Sequence, residues 1–183
     1  MCIRDSRYPV AGLLRGDLSI SEPFGDFVAA LRQLADDDAA VTDTALSPEL
    51  FSRAAALLDG CSSELSGAAG PPVLLHGDFK ASNLHWTHQQ ELLVLDWEFA
   101  YAGSALMDVG QLTRWSPPAA FVDAFEHGYL AGGGHLPDDW LRWAAVMDLV
   151  NLFGLARGLA PHSPRAADVA RRIQTTLDAF PSF

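Results

Sequence analysis

Short apolar runs alternate with longer segments of helical periodicity along this chain of 183 residues. Two of the runs, Val73–Leu75 and residues 92–95, consist of Val and Leu alone and are followed directly by polar residues. Runs of this length and composition are typical of β-strands. The pattern therefore predicts two strands joined by a polar segment.

Helical periodicity is found on both sides of these strands. Before them, residues 23–35 carry apolar side chains near one face, and Ser47 with Pro48 supplies a cap and a first position for a second helix. We expect that helix to end near Gly60 and residues 61–72, rich in Ser, Gly, Ala and Pro, to form a loop. After the strands, four segments are predicted to be helical: residues 107–115, 118–130, 138–158 and 164–180.

Three oxygen-bearing side chains follow the two predicted strands. Asp78 comes shortly after the first strand, Asn83 lies five positions later, and Asp96 ends the second strand. An ionised carboxylate accepts hydrogen bonds only, so Asp78 could orient a substrate hydroxyl and take its proton. Mg²⁺ prefers oxygen ligands and keeps several waters, so Asn83 and Asp96 would be sufficient protein ligands. This order and spacing indicate a phosphoryl-transfer site.

The same residues carry a resemblance to a known family. The motif His76-Gly77-Asp78 with Asn83, followed by Leu95-Asp96-Trp97-Glu98, resembles the aminoglycoside phosphotransferase and choline kinase family. This family is the small-molecule branch of the protein-kinase fold. The resemblance covers residues 73–112, and the helical patterns on both sides are compatible with it.

The resemblance implies a fold, a reaction and roles for individual residues. The fold would be the C-terminal lobe of a protein-kinase-like protein, α+β and mainly helical, with a small β-hairpin carrying the catalytic and metal-binding loops. Asp78 would be the catalytic base, and Asn83 and Asp96 would bind Mg²⁺, with ATP as the co-substrate. His76 and Asp108 would brace the catalytic loop.

Three further polar residues are candidate substrate contacts. Glu98 would point to the same side as Asp96 if the strand continued, although a solvated edge position is an equal alternative. Asp148 and Asn151 interrupt the apolar segment 138–158. They could contact the substrate or serve as buried partners of other polar groups.

The sequence lacks the features of a lobe that grips ATP. Such a lobe needs a Gly-rich loop over the phosphates and a strand Lys, but no G-x-G-x-x-G or G-x-x-x-x-G-K-[ST] motif occurs. The only Lys is Lys80, which we interpret as a solvated loop residue. Residues 132–134, three glycines, are interpreted as a helix stop. We expect residues 7–183 to be a kinase-like C-terminal lobe without its ATP-gripping lobe, and residues 1–6 to be a non-native or disordered start.

Net charge, apolar runs and cysteine content limit the partners and the cellular location that we expect. A net charge of −11 argues against a nucleic-acid partner; it is compatible with a cationic substrate, or with a role in solubility alone. No run approaches the roughly 20 apolar residues of a membrane span. Two distant cysteines, Cys2 and Cys61, fit a reducing cytosol, so we expect a cytoplasmic protein. Oligomeric state is not indicated.

The leading hypothesis is an ATP-dependent phosphotransferase that acts on a hydroxyl of a small molecule, present here as a fragment inactive on its own. A non-catalytic fragment or pseudo-enzyme that binds a partner is the main alternative. A metal-dependent hydrolase using His76, Asp78, His85 and Asp96 is ranked last, because Asn83 has no place in it. The identity of the acceptor alcohol cannot be deduced from the sequence.

Overall fold

The computed structural model describes residues 7–25 and 46–180. The strands are β1 (Gly12–Leu14), β2 (Ile20–Pro23), β3 (Val73–Leu75), β4 (Leu84–Trp86), β5 (Leu92–Val94) and β6 (Tyr101–Gly103). The helices are α1 (Pro48–Ala69), α2 (Ala105–Thr113), α3 (Ala119–Ala131), α4 (Trp140–Arg157) and α5 (Pro164–Asp178). Single 3₁₀ turns occupy Ala81–Asn83 and Trp97–Phe99.

The strands form two separate antiparallel sheets. One sheet has the order β2-β1-β6-β3, and the other is the β4–β5 hairpin. In the larger sheet Leu74 of β3 lies opposite Ala102 of β6, and both are buried. The segments that leave β3 and β5 carry the candidate site residues, so the two sheets position them.

The core lies mainly between helices α1, α2, α4 and α5. Helix α4 contributes fully buried side chains, including Val146, Met147 and Leu149. Helix α2 packs closely against α4 at Gly110, where an added Cβ would lie 2.4 Å from the Ala144 carbonyl oxygen. A residue with a side chain at position 110 would therefore force the two helices apart.

The predicted strands at 73–75 and 92–95 are confirmed, and the four helices predicted after them are confirmed to within two residues at each end. Gly132 caps the end of α3, as expected. Among the described ranges, no helix has the length and apolar character that crossing a membrane requires.

The loop predicted for residues 61–72 is wrong over most of its length. Helix α1 continues to Ala69, with a local departure from helical geometry at Cys61. Cys61 and Leu65 are fully buried and pack in the hydrophobic core. Their burial stabilises the helix through a segment whose small and polar residues alone favour a loop.

The first predicted helix is wrong at its start, because Pro23 ends strand β2. Its residues from 26 onward lie outside the described part of the chain, as do residues 1–6. Strands β1, β2, β4 and β6 were not predicted. Each is only three or four residues long, which is too short for a clear alternating pattern.

Candidate active site

The candidate catalytic loop connects β3 to β4 and begins with a tight turn at Gly77. Gly77 has a φ of 81°, and a Cβ added to it would lie 2.1 Å from the carbonyl oxygen of Phe99. Both the left-handed conformation and the close approach require glycine. The loop that follows β3 is thereby packed directly against the 3₁₀ turn that follows Asp96.

His76 joins the two segments through its ring. Its Nδ1 accepts a hydrogen bond from the backbone N–H of Asp78 at 3.2 Å. The ring is therefore in the tautomer that carries its proton on Nε2, which donates to the Leu95 carbonyl oxygen at 2.7 Å. His76 is 2% exposed, and neither ring nitrogen is available to bind a metal ion.

Two side chains of helix α2 hold the loop backbone. The Asp108 carboxylate accepts from the backbone N–H of His76 at 2.7 Å and from that of Gly77 at 3.0 Å. Gln111 accepts from the N–H of Phe79 at 2.6 Å and donates to the Gly77 carbonyl oxygen at 2.9 Å. Four backbone groups of the loop are thus fixed by one helix.

Gln111 was not recognised in the sequence. It lies three positions after Asp108 and so shares a face of α2 with it. It is 4% exposed. A glutamine one turn beyond the predicted bracing Asp, within an otherwise apolar helix, is the signal that could have identified it.

Burial dominates the electrostatics of Asp108. It raises the pKa of this carboxyl above its usual value, and the hydrogen bonds from the N–H groups of His76 and Gly77 oppose that rise. The folded state therefore disfavours the ionised form of Asp108 overall, even though both of its oxygens accept hydrogen bonds.

Asp78 and Asn83 are in direct contact. Asn83 Nδ2 donates to the Asp78 backbone carbonyl oxygen at 2.9 Å and to the Asp78 carboxylate at 3.3 Å. The same carboxylate oxygen forms an ion pair with Lys80 Nζ at 2.5 Å. Interpreting Lys80 as merely solvated was therefore wrong, because its charge is paired within the loop.

Asp96 lies beside this pair along the backbone. The N–H of Leu95 donates to the Asn83 carbonyl oxygen at 2.9 Å, which sets the residue before Asp96 next to Asn83. Asp96 itself has a left-handed backbone, with a φ of 69°, and is exposed. A non-glycine residue held in this conformation costs about 1 kcal/mol or more, a strain that recurs at functional sites. Glu98 is exposed in the adjoining 3₁₀ turn.

The donor set suits Mg²⁺. Asn83 and Asp96 offer an amide oxygen and a carboxylate, which are hard ligands of the type this ion takes. In the ranges that the structure describes, no group of three or more His, Cys, Asp or Glu side chains is placed to hold a metal ion. Both ring nitrogens of His76 are engaged in hydrogen bonds, so in this geometry His76 cannot act as the metal ligand that the hydrolase alternative needs.

Asp148 and Asn151 lie in a different environment. Both carboxylate oxygens of Asp148, a residue 2% exposed, accept from the Arg114 guanidinium at 2.5 and 2.6 Å. Asn151 donates to Asp148 at 3.1 Å. Burial raises the pKa of Asp148, and the Arg114 hydrogen bonds and charge oppose that rise. This geometry matches the alternative in which the two residues are partners of other buried polar groups.

Comparison with known proteins places this site in a family. The model of the phosphotransferase enzyme family matches residues 12–146. No curated protein sequence matches the chain.

A solved structure, that of a candidate fructosamine-3-kinase from Thermobifida fusca YX-ER1, is similar in fold with a TM-score of 0.61 and 20% identity. The alignment covers 93% of this chain and 59% of that one, so the chain spans less than two thirds of the solved protein. The likeness confirms the predicted kinase-like α+β fold. Because the family model matches well over half of its residues, the chain belongs to the phosphotransferase enzyme family.

Proposed function

We propose that this chain carries the catalytic lobe of an ATP-dependent kinase that phosphorylates a hydroxyl group of a small molecule. The observation that supports this most directly is the contact between Asp78 and Asn83, on a loop whose backbone is fixed by Asp108 and Gln111. Phosphoryl transfer depends mainly on positioning and charge stabilisation. A rigid loop that presents a carboxylate beside an amide serves both needs.

Each residue has a distinct part in the proposed reaction. Asp78 accepts a hydrogen bond from the substrate hydroxyl and orients its oxygen for attack on the terminal phosphate. Asn83 and Asp96 would hold Mg²⁺ through their side-chain oxygens, and the ion would supply positive charge to neutralise the phosphates. His76 and Asp108 keep the loop in place and do not touch the reacting atoms.

Lys80 limits how the substrate hydroxyl can reach the Asp78 carboxylate. Its ammonium group occupies one carboxylate oxygen of Asp78, so an incoming hydroxyl must use the other oxygen or displace the lysine. Because the two side chains are 45% and 30% exposed, the ion pair adds little to stability. Its contribution is to orient Asp78.

Among the three candidate substrate contacts, Glu98 is the one we retain. It lies two residues after Asp96 and is exposed, so a polar or cationic acceptor could reach it. The carboxylate of Asp148 is already bound by Arg114 and Asn151. A role for Asp148 or Asn151 in binding the acceptor would require those bonds to break.

The second candidate is a lobe that binds without catalysing. Two observations favour it: the Lys80 ion pair covers part of Asp78, and the chain spans 59% of the solved protein it resembles. In this view a further lobe must supply the nucleotide-binding surface. The chain alone would then bind MgATP weakly.

The test compares the 183-residue chain with an extended protein in which a nucleotide-binding lobe of the same family precedes it. We expect the extended protein to phosphorylate a member of a panel of amino-sugars, sugars and amino alcohols, and the shorter chain to bind MgATP only weakly in calorimetry. Asp78→Asn in the extended protein should lower kcat by a factor of about 10²–10⁴, as expected for a lost general base.

The matched control is Asp123→Asn, which removes an exposed carboxylate from α3 and should leave kcat unchanged. Full turnover by the Asp78→Asn variant would overturn the role of Asp78. Absence of phosphorylation by an extended protein that binds MgATP normally would favour the non-catalytic candidate.

A further inference from the structure

A cleft of about 470 Å³ lies among helices α2, α3, α4 and α5. It is lined by Gly110 and Thr113 of α2 and by Arg114, which directly follows that helix. Asp108 and Gln111, which hold the catalytic loop, are not among the residues that line the cleft. The cleft is therefore separate from the candidate active site.

One side of the cleft is cationic. Arg114, Arg171 and Arg172 line it, and within residues 7–25 and 46–180 two carboxylates pair with them: Asp148 binds Arg114, and Asp168 binds both Arg171 and Arg172. Three guanidinium groups against two carboxylates leave a surplus of one positive charge. This surplus stands out in a chain whose net charge is −11.

The guanidinium groups retain unused donors. Arg114 donates through Nε and Nη2, and Arg172 through Nε and Nη1. Each guanidinium has five N–H groups, which is more than these bonds use. Within the described ranges, Nη1 of Arg114 and Nη2 of Arg172 make no hydrogen bond. Burial lowers the pKa of Arg172, and the charge of Arg114 lowers it further. The two residues are adjacent, because Arg172 Nη1 donates to the Arg114 carbonyl oxygen.

The other side of the cleft is apolar. Val122 of α3 and Leu141 and Leu152 of α4 contribute to the lining. The volume is in the range of small-molecule sites, which combine an apolar wall with a few polar groups. An occupant complementary to both sides would carry a single anionic head and a small apolar body.

We propose that this cleft is a second binding site, for a small organic anion with a carboxylate or phosphate head and an apolar body. The head would bind the free N–H groups of Arg114 and Arg172 together with Arg171, and the body would lie against Val122, Leu141 and Leu152. The proposal does not depend on the kinase activity, because none of these residues belongs to the candidate active site.

Calorimetric titration of the full 183-residue chain with phenyl phosphate, without Mg²⁺, tests the proposal. We expect one site with a dissociation constant below about 1 mM, and at least about tenfold weaker binding of inorganic phosphate and of phenol, because each lacks half of the recognised chemistry. Methyl NMR signals of Val122, Leu141 and Leu152 should shift on binding. Shifts confined to Leu84 and Val94 in the β4–β5 hairpin would place the probe elsewhere and overturn the proposal.

Arg171→Gln supplies the charge test. Arg171 is 66% exposed, so its replacement should preserve the fold while weakening phenyl phosphate binding by about fivefold through a lost charge-assisted hydrogen bond. Arg165→Gln removes an exposed arginine of the same helix that does not line the cleft and should leave binding unchanged. Equal weakening by both variants, or no binding up to about 10 mM probe, would also overturn the proposal.

Discussion

The catalytic loop and the β4–β5 hairpin adjoin each other in the chain but differ in how they are held. The loop is braced by four hydrogen bonds from Asp108 and Gln111 and by the buried ring of His76. The hairpin beside it exposes large apolar side chains, with Trp86 71%, Leu92 50% and Leu93 45% exposed. Successive residues of a strand point to opposite faces, so Leu92 and Leu93 leave both faces of the hairpin uncovered.

The catalytic loop is already held in place by its own surroundings, whereas the hairpin has an apolar surface without a partner among the described residues. The contacts described above that hold the loop come from α2, from the segment that follows β5 and from within the loop itself. The hairpin, together with Phe99, which is 58% exposed, presents an apolar surface of the kind that usually marks an interaction site. If the proposed nucleotide-binding lobe exists, we propose that it packs on this surface.

Among the changes to the side chains that hold the catalytic loop, Asp108→Ala is expected to lower the free energy of unfolding most. The substitution leaves the N–H groups of His76 and Gly77 without their acceptor in a partly buried environment, at a cost of about 2–4 kcal/mol in the free energy of unfolding. Chemical denaturation of the 183-residue chain measures this cost. Asp123→Ala on α3 is the control and should change stability by less than about 0.5 kcal/mol. Similar costs for the two variants would mean that Asp108 does not brace the loop.

A smaller change in the free energy of unfolding is expected when pH is varied, and its direction follows from the pKa of Asp108. Because burial raises the pKa of Asp108 in the folded state, the folded protein binds more protons at this site than the unfolded chain between the unfolded and folded pKa values. The contribution of Asp108 to stability therefore rises as pH falls through the folded pKa. It becomes constant below the unfolded pKa of about 3.9.

Asp108→Asn removes this titration and isolates it. The difference in unfolding free energy, wild type minus Asp108→Asn, should increase as pH is lowered from neutrality toward about 4. A difference that decreased over the same window would show that the two backbone N–H groups outweigh burial and hold the carboxylate ionised.

The smallest change in stability is expected from a substitution in the β4–β5 hairpin. Trp86→Thr in this chain should change the free energy of unfolding by less than about 0.5 kcal/mol, because the side chain is already in water. Leu75→Ala, at a fully buried position of β3, is the contrasting variant and should cost about 2–5 kcal/mol. In a protein extended by its nucleotide-binding lobe, Trp86→Thr should become clearly destabilising. An unchanged small effect there would argue that the hairpin surface is not covered by that lobe.

The sequence predicted the kinase-like fold and named a set of candidate site residues, but it missed several elements of the scaffold. Asp78, Asn83 and Asp96 were identified as a set because phosphoryl transfer needs those groups in that order, and the structure places Asp78 in contact with Asn83 and sets the residue before Asp96 beside Asn83. Whether they bind a hydroxyl and Mg²⁺ stays a prediction. The resemblance also supplied Asp108, which periodicity alone would have left as one polar residue in an apolar helix.

What the sequence could not supply depends on contacts between distant segments. The continuation of α1 through Cys61 and Leu65 follows from their burial in the core, which composition does not reveal. Strand β6 forms because its neighbours β1 and β3 pair with both of its edges. Lys80 was misjudged because its partner is two residues away on a sharply turning loop, where neither helical nor strand spacing applies.

Gly77 sets a boundary on how this site can be re-engineered. Its missing side chain lets the backbone of the catalytic turn touch the Phe99 carbonyl, so even a methyl group there would drive apart the two segments that carry Asp78 and Asp96. A library aimed at new acceptor molecules should therefore keep position 77 fixed. Diversity belongs at exposed positions such as Glu98, where a new side chain displaces only water.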